Sequence, residues 1–126
     1  MARVSVEVPA ELLGPVRETV LMLYEATAES LHQALRMRAL DEARVHRARL
    51  EEVDELARAL ERGAERGAVV SASRELLHDA LYGALIDAGE RLADASNRSW
   101  RGELPLERVQ AAAEEVLAID ALLRTL

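Results

Sequence analysis

Apolar residues recur along most of this chain at three- and four-residue intervals, the spacing that places them on one face of an α-helix at about 100° per residue. The stripe Leu13, Val16, Val20, Leu23/Tyr24, Thr27, Leu31 and Ala34/Leu35 lies opposite Glu11, Glu18, Glu25 and Glu29, which predicts an amphipathic first helix starting near Pro9 or Pro15. A second stripe, Ala43, His46, Leu50, Val53, Ala57 and Leu60, follows with no Gly or Pro between Val16 and Arg62. One helix carrying both stripes would run about 70 Å, more than a compact domain of this size covers. A hairpin is therefore expected, with its turn in the polar stretch Arg36–Glu42 and Asp41 as the cap of the second helix.

Gly63 and Gly67 mark the end of that helix, and Ala68–Ala72 reads as a connector with local extension. Ser71 or Ser73 then caps a third helix with the stripe Leu77, Leu81, Ala84/Leu85, Ala88, Leu92 and Ala95, where Gly83, Ala84, Ala88 and Gly89 permit close approach of a neighbouring backbone. The polar, Gly-bearing segment Ser96–Leu104 predicts the last loop. Pro105 opens a fourth helix whose seam, Val109, Ala112, Val116, Ile119, Leu123 and Leu126, has coiled-coil spacing. The expected fold is all-α: an antiparallel four-helix bundle with helices at about 10–37, 41–62, 73–96 and 105–125.

The first residues follow a different rule. Val4, Val6 and Val8 alternate with Arg3, Ser5 and Glu7 up to Pro9, the period of a short half-buried strand. No second segment alternates clearly, so residues 1–8 are expected to form an arm whose partner is the same strand of a second molecule, with Val4, Val6 and Val8 as the dimer strand. Residues 9–126 supply the helical bundle of a single domain. Leu21, Met22, Tyr82, Ile86 and Leu122 fall outside the main stripes and point to a self-association surface.

Arg3-Val4-Ser5-Val6-Glu7-Val8-Pro9 followed by Glu11-Leu12-Leu13, and Glu29 with Leu31, Ala34, Leu35 and Arg36, resemble the strand, helix start and second helix of the ribbon-helix-helix DNA-binding family. The resemblance covers residues 1–36. It implies a strand paired across a dimer, with Arg3, Ser5 and Glu7 directed into a DNA major groove. Between its two helices the family has a tight Gly-containing turn, where this chain carries Leu23–Ala28.

Composition narrows the function classes. The chain has no Cys, which excludes a disulfide framework and thiolate chemistry and points to a reducing, cytoplasmic location. No uncharged stretch approaches the roughly 18 residues of a membrane helix. A net charge of −7 opposes nucleic-acid binding over the whole surface. With only Tyr24, Tyr82 and Trp100 as aromatics, stacking platforms for bases are nearly excluded.

Positive charge is nevertheless gathered. All 16 basic residues are Arg, and in an up-down-up-down bundle the first and third loops share one end. That arrangement assembles Arg36, Arg38, Arg44, Arg47 and Arg49 with Trp100 and Arg101 into a candidate patch for an anionic partner. The opposite end retains Glu61, Glu65, Glu75, Asp79 and Asp120.

Catalytic signatures are weak. Glu29-x-x-His32 and Glu75-x-x-His78 have the spacing of di-iron bundle ligands, but helical phase turns the first pair to solvent and puts Glu75 in a first turn, where an acid complements the helix dipole. Glu42, His46 and Arg49 along the second stripe suggest an ion-paired cluster at a bundle end. The run Glu51-Glu52-Val53-Asp54-Glu55 resembles the Mg²⁺-binding helices of all-α NTP pyrophosphohydrolases. No second acidic motif accompanies it, so it is taken as a solvated face. The expectation is a non-enzymatic helical protein-interaction module acting as a homodimer, without metal or cofactor. The alternatives are a ribbon-helix-helix-like DNA-binding regulator and, third, a metal-binding helical-bundle enzyme.

Overall fold

The alternating valines do form a strand, β1 (Arg3–Val8), but its partner lies in the same chain. Residues 68–73 form β2 (Ala68–Ser73), antiparallel to β1, with Arg3 opposite Ser73, Val6 opposite Val70 and Val8 opposite Ala68. The computed structural model describes residues 3–63 and 66–126. Met1 and Ala2 of the expected arm, and Glu65, lie outside the described residues. The expectation that no second segment of the chain pairs with Val4, Val6 and Val8 is thus corrected: β2 supplies that partner. Val6 and Val8 are buried in the core and Val4 packs against it.

Four helices complete the fold: α1 (Ala10–Arg36), α2 (Leu40–Arg62), α3 (Arg74–Trp100) and α4 (Leu106–Arg124). α1 starts directly after Pro9 and continues through Pro15, whose ring nitrogen cannot donate to the Glu11 carbonyl. Its last turn closes at Met37, and Arg38 adopts a positive φ of 55° that reverses the chain. α2 begins at Leu40 behind Ala39, which provides no side-chain cap, so Asp41 sits inside the first turn instead of capping it. Ser73 does cap α3: its hydroxyl accepts from the Leu76 amide, while its own amide and hydroxyl donate to Glu52 Oε1. α3 runs on to Trp100, because the polar stretch Ser96–Trp100 contains no residue that breaks a helix before Gly102, at φ 78°.

The core lies under the two-stranded ribbon. Val6, Val8, Val70 and Ala72 face Leu12, Val16 and Val20 of α1, Val53, Leu56 and Leu60 of α2, and Leu76, Leu77 and Leu81 of α3. Each large side chain removed from water here contributes about 1.5–3 kcal/mol. α4 is covered least: Ile119 is fully buried, and the other seam residues are half-buried.

The order strand, helix, helix occurs twice, and the two units correspond position by position. A shift of 64 residues carries Ala10 to Arg74 and Arg36 to Trp100, the ends of α1 to those of α3. It also carries the N-cap Pro9 (φ −62°, ψ 154°) to Ser73 (φ −61°, ψ 146°) and Arg38 to Gly102, both with positive φ. The ribbon register obeys the same symmetry, since Val6 maps to Val70 and those two residues face each other. Thr19 maps to Gly83, and a Cβ built on Gly83 would come within 2.5 Å of Thr19 Cγ2. A pseudo-twofold axis therefore passes through the Val6–Val70 pair and the α1–α3 crossing. The second turn is two residues longer, so α2 maps to α4 with Leu40 on Leu106. Val53 and Ile119, both without exposed surface, then coincide.

α1 and α3 run antiparallel at their crossing. The start of α3 lies beside the middle of α2, through Ser73–Glu52 and Arg49–Asp79 at 2.7 Å. Farther along α3, Arg91 lines a cleft with Gly14, Pro15 and Leu21 near the start of α1. α3 therefore travels away from the α1–α2 turn. The first and third loops do not share an end of the molecule; each is about 25 Å from the crossing at 1.5 Å per residue.

Candidate functional site

The antiparallel crossing separates the expected anionic-partner patch. Arg36, Arg38, Arg44, Arg47 and Arg49 belong to the α1–α2 turn and the start of α2, whereas Trp100 and Arg101 lie at the far end, at the α3–α4 turn. Most of these cations have acidic neighbours: Arg44 with Asp41 at 3.6 Å, Arg47 with Glu51 at 3.6 Å, Arg49 with Asp79, and Arg101 with Glu103 at 3.7 Å. Arg36 and Arg38 are in no ion pair among the described residues. They stand beside exposed Leu35, Met37 and Leu40. At the other turn Trp100 is 92% exposed, and Arg98 lies 3.5 Å from Glu103.

On the outer face of the ribbon, Arg3, Ser5 and Glu7 of β1 join Val69 and Ser71 of β2, all exposed. Arg3 donates to the Ser71 carbonyl at 2.7 Å and lies 3.8 Å from Glu55, so its charge is partly engaged. Glu11 and Glu75 occupy the first turns of the two helices that follow the strands. The ribbon face is close to neutral, with carboxylates at both ends.

Neither Glu-x-x-His pair is enclosed. Glu29, His32, Glu75 and His78 are all exposed, and His78 stacks on Tyr82 with ring centroids 5.8 Å apart. Glu29, Glu42 and His46 line one open cleft between α1 and α2, yet no three His, Asp or Glu side chains among the described residues converge as a metal site. Among the described residues Thr19 and Ser73 are the buried polar ones, and both are hydrogen-bonded. Among the described residues no buried side-chain nitrogen or oxygen lacks a partner, and no helix is long and apolar enough to cross a membrane.

The α1–α3 crossing offers a different kind of surface. From the Thr19–Gly83 contact, helical phase turns Met22 of α1 and Tyr82 and Ile86 of α3 to the side away from the ribbon. They are 61%, 49% and 46% exposed, respectively. Glu18, Glu25 and Glu90 flank them by the same phase and are in no ion pair among the described residues. Sequence periodicity singles out Met22, Tyr82 and Ile86 as apolar outliers. It cannot show that the crossing gathers them, since that depends on Thr19 meeting Gly83. Leu21 turns instead toward the cleft with Arg91 and Glu115, and Leu122 packs half-buried against the core.

No family model, curated protein or solved structure matches this chain.

Proposed function

We propose that this protein is a non-enzymatic helical interaction module that binds protein chains, a second copy of itself among them, through the α1–α3 face. One observation carries the reading: three large apolar side chains, Met22, Tyr82 and Ile86, stand about half exposed or more on one side of one helix crossing. Clustered exposure of this kind carries an unfavourable hydration free energy that a docked partner removes. We place the homodimer contact on helix faces in preference to the strand, since one edge of β1 is already paired with β2. A cysteine-free chain fits a reducing cytoplasm. Native mass spectrometry and sedimentation of the purified protein, compared with Met22→Ser/Ile86→Ser, test the reading. Association that survives unchanged in the double variant would refute the α1–α3 face as the docking surface.

A ribbon-helix-helix-like regulator is the second reading. What favours it is topology: two strand-helix-helix units arranged about an antiparallel ribbon. Against it stand Glu7 on the ribbon face and the carboxylates Glu11 and Glu75 beside it, which phosphate repels. A low-salt gel-shift titration decides the point: a shift abolished by Arg3→Ala/Ser5→Ala supports the regulator, and an unmoved duplex rejects it.

A further inference from the structure

The α1–α3 face combines apolar and acidic groups. Its centre is apolar, in Met22, Tyr82 and Ile86, and its edges carry the carboxylates of Glu18, Glu25 and Glu90, which are in no ion pair among the described residues; Glu18 also borders the cleft with Arg17 and Arg91. A complementary surface brings apolar side chains together with cations. Two such faces laid against each other would oppose like charges, which selects against face-to-face pairing.

The chain itself contains a segment of the required character. At the α1–α2 turn, Leu35, Met37 and Leu40 are exposed, and Arg36 and Arg38 between them have no acidic neighbour within ion-pair distance among the described residues. The equivalent α3–α4 turn lacks this character, because Arg98 and Arg101 are both beside Glu103. The backbone gives a second indication. Arg38 holds φ 55°, a conformation that L side chains resist, where the equivalent turn uses Gly102. The first turn therefore keeps a guanidinium at a position whose geometry suits glycine.

The geometry points to self-association in which the α1–α2 turn of one copy seats on the α1–α3 face of a second copy. This inference rests on the proposed role of that face. The contact is between molecules, because Met22 and Met37 belong to one continuous helix and its cap and are held about 22 Å apart at 1.5 Å per residue. Reciprocal exchange of turns closes a twofold dimer with two identical contacts.

The test uses the full chain and two surface variants in sedimentation velocity at low and moderate salt: a face-reversed Glu18→Arg/Glu25→Arg and a turn-reversed Arg36→Glu/Arg38→Glu. The wild type is expected to dimerise, and each variant alone to lose affinity by about tenfold or more. An equimolar mixture of the two variants is expected to associate again, since each then meets a complementary surface. Circular dichroism checks folding, and Met37→Asp, which leaves every charged residue in place, provides an independent turn variant expected to weaken the dimer. A wild-type-like dimer in either reversed variant, or a mixture that stays monomeric, overturns the turn-to-face contact while leaving an α1–α3 docking face for another mode of pairing. A wild type that remains monomeric at about 100 µM overturns self-association and leaves the face to a different protein.

Discussion

The tight contact between α1 and α3 can be tested by adding one methyl group. Gly83 of α3 meets Thr19 of α1, and a Cβ at position 83 would lie 2.5 Å from Thr19 Cγ2 but 3.8 Å from its Cβ and Oγ1. Thr19 is buried, β-branched and hydrogen-bonded through its hydroxyl to the Pro15 carbonyl at 3.4 Å, so it has little freedom to turn aside. Two opposing effects therefore act on Gly83→Ala. Alanine in a helix interior gains about 1 kcal/mol over glycine. Overpacking costs about 1–3 kcal/mol. The net expectation in the wild-type background is a loss of about 0–2 kcal/mol. Thr19→Ser removes Cγ2 and leaves the ordinary 3.8 Å contacts, at a cost of about 1 kcal/mol for the lost buried methyl. In that background Gly83→Ala should stabilise by the full propensity gain. The four proteins form a double-mutant cycle read by urea denaturation, with an expected coupling of about 1–3 kcal/mol. A Gly83→Ala protein that gains about 1 kcal/mol while Thr19 is present would refute the close crossing and, with it, the surface built on that crossing.

Further expectations follow from single positions. Arg38→Gly should stabilise the fold by about 1 kcal/mol by removing a positive-φ side chain, and Gly102→Ala should destabilise by a similar amount; both are read by urea midpoints. Ile119→Ala should cost about 2–5 kcal/mol, whereas Leu117→Ala, exposed two residues earlier on α4, should stay within about 0.5 kcal/mol. Equal effects would mean that the buried side of α4 is misassigned. Ser73→Ala removes the α3 cap and the hydroxyl donor to Glu52, for an expected loss of about 1–2 kcal/mol in thermal or chemical unfolding.

Helix identity was legible in the sequence because it depends on local periodicity. The stripes from Leu13 to Ala34 and from Ala43 to Leu60 mark α1 and α2, and the polar stretch between them holds the turn. The ribbon was only half legible. In β2 the inward residues are Val70 and Ala72 and the outward ones Val69 and Ser71, so a small inward residue and an apolar outward one erase the alternation. Composition ends α3 too early, since polar Ser96–Trp100 has the composition of a loop while being a solvated helix. The arginine patch could not be judged from sequence at all. It required knowing that α1 and α3 cross antiparallel, a tertiary fact encoded in the contacts of Thr19, Arg49 and Glu52 with distant residues. The internal repeat shows in the paired leucines Leu12-Leu13 and Leu76-Leu77, a signal too short to stand out until the two helices are aligned by structure.

That repeat has a consequence for valency. Two identical chains around a true twofold axis must display every surface residue twice, so whatever docks on one side docks on the other. Here the two halves are covalently joined and differ in sequence: Glu18 answers to Tyr82, Arg36 to Trp100, and Arg38 to Gly102. Each turn and each half of the crossing thus occurs once per molecule with its own chemistry. A pseudo-symmetric backbone thus carries an asymmetric surface, on which no docking site is repeated.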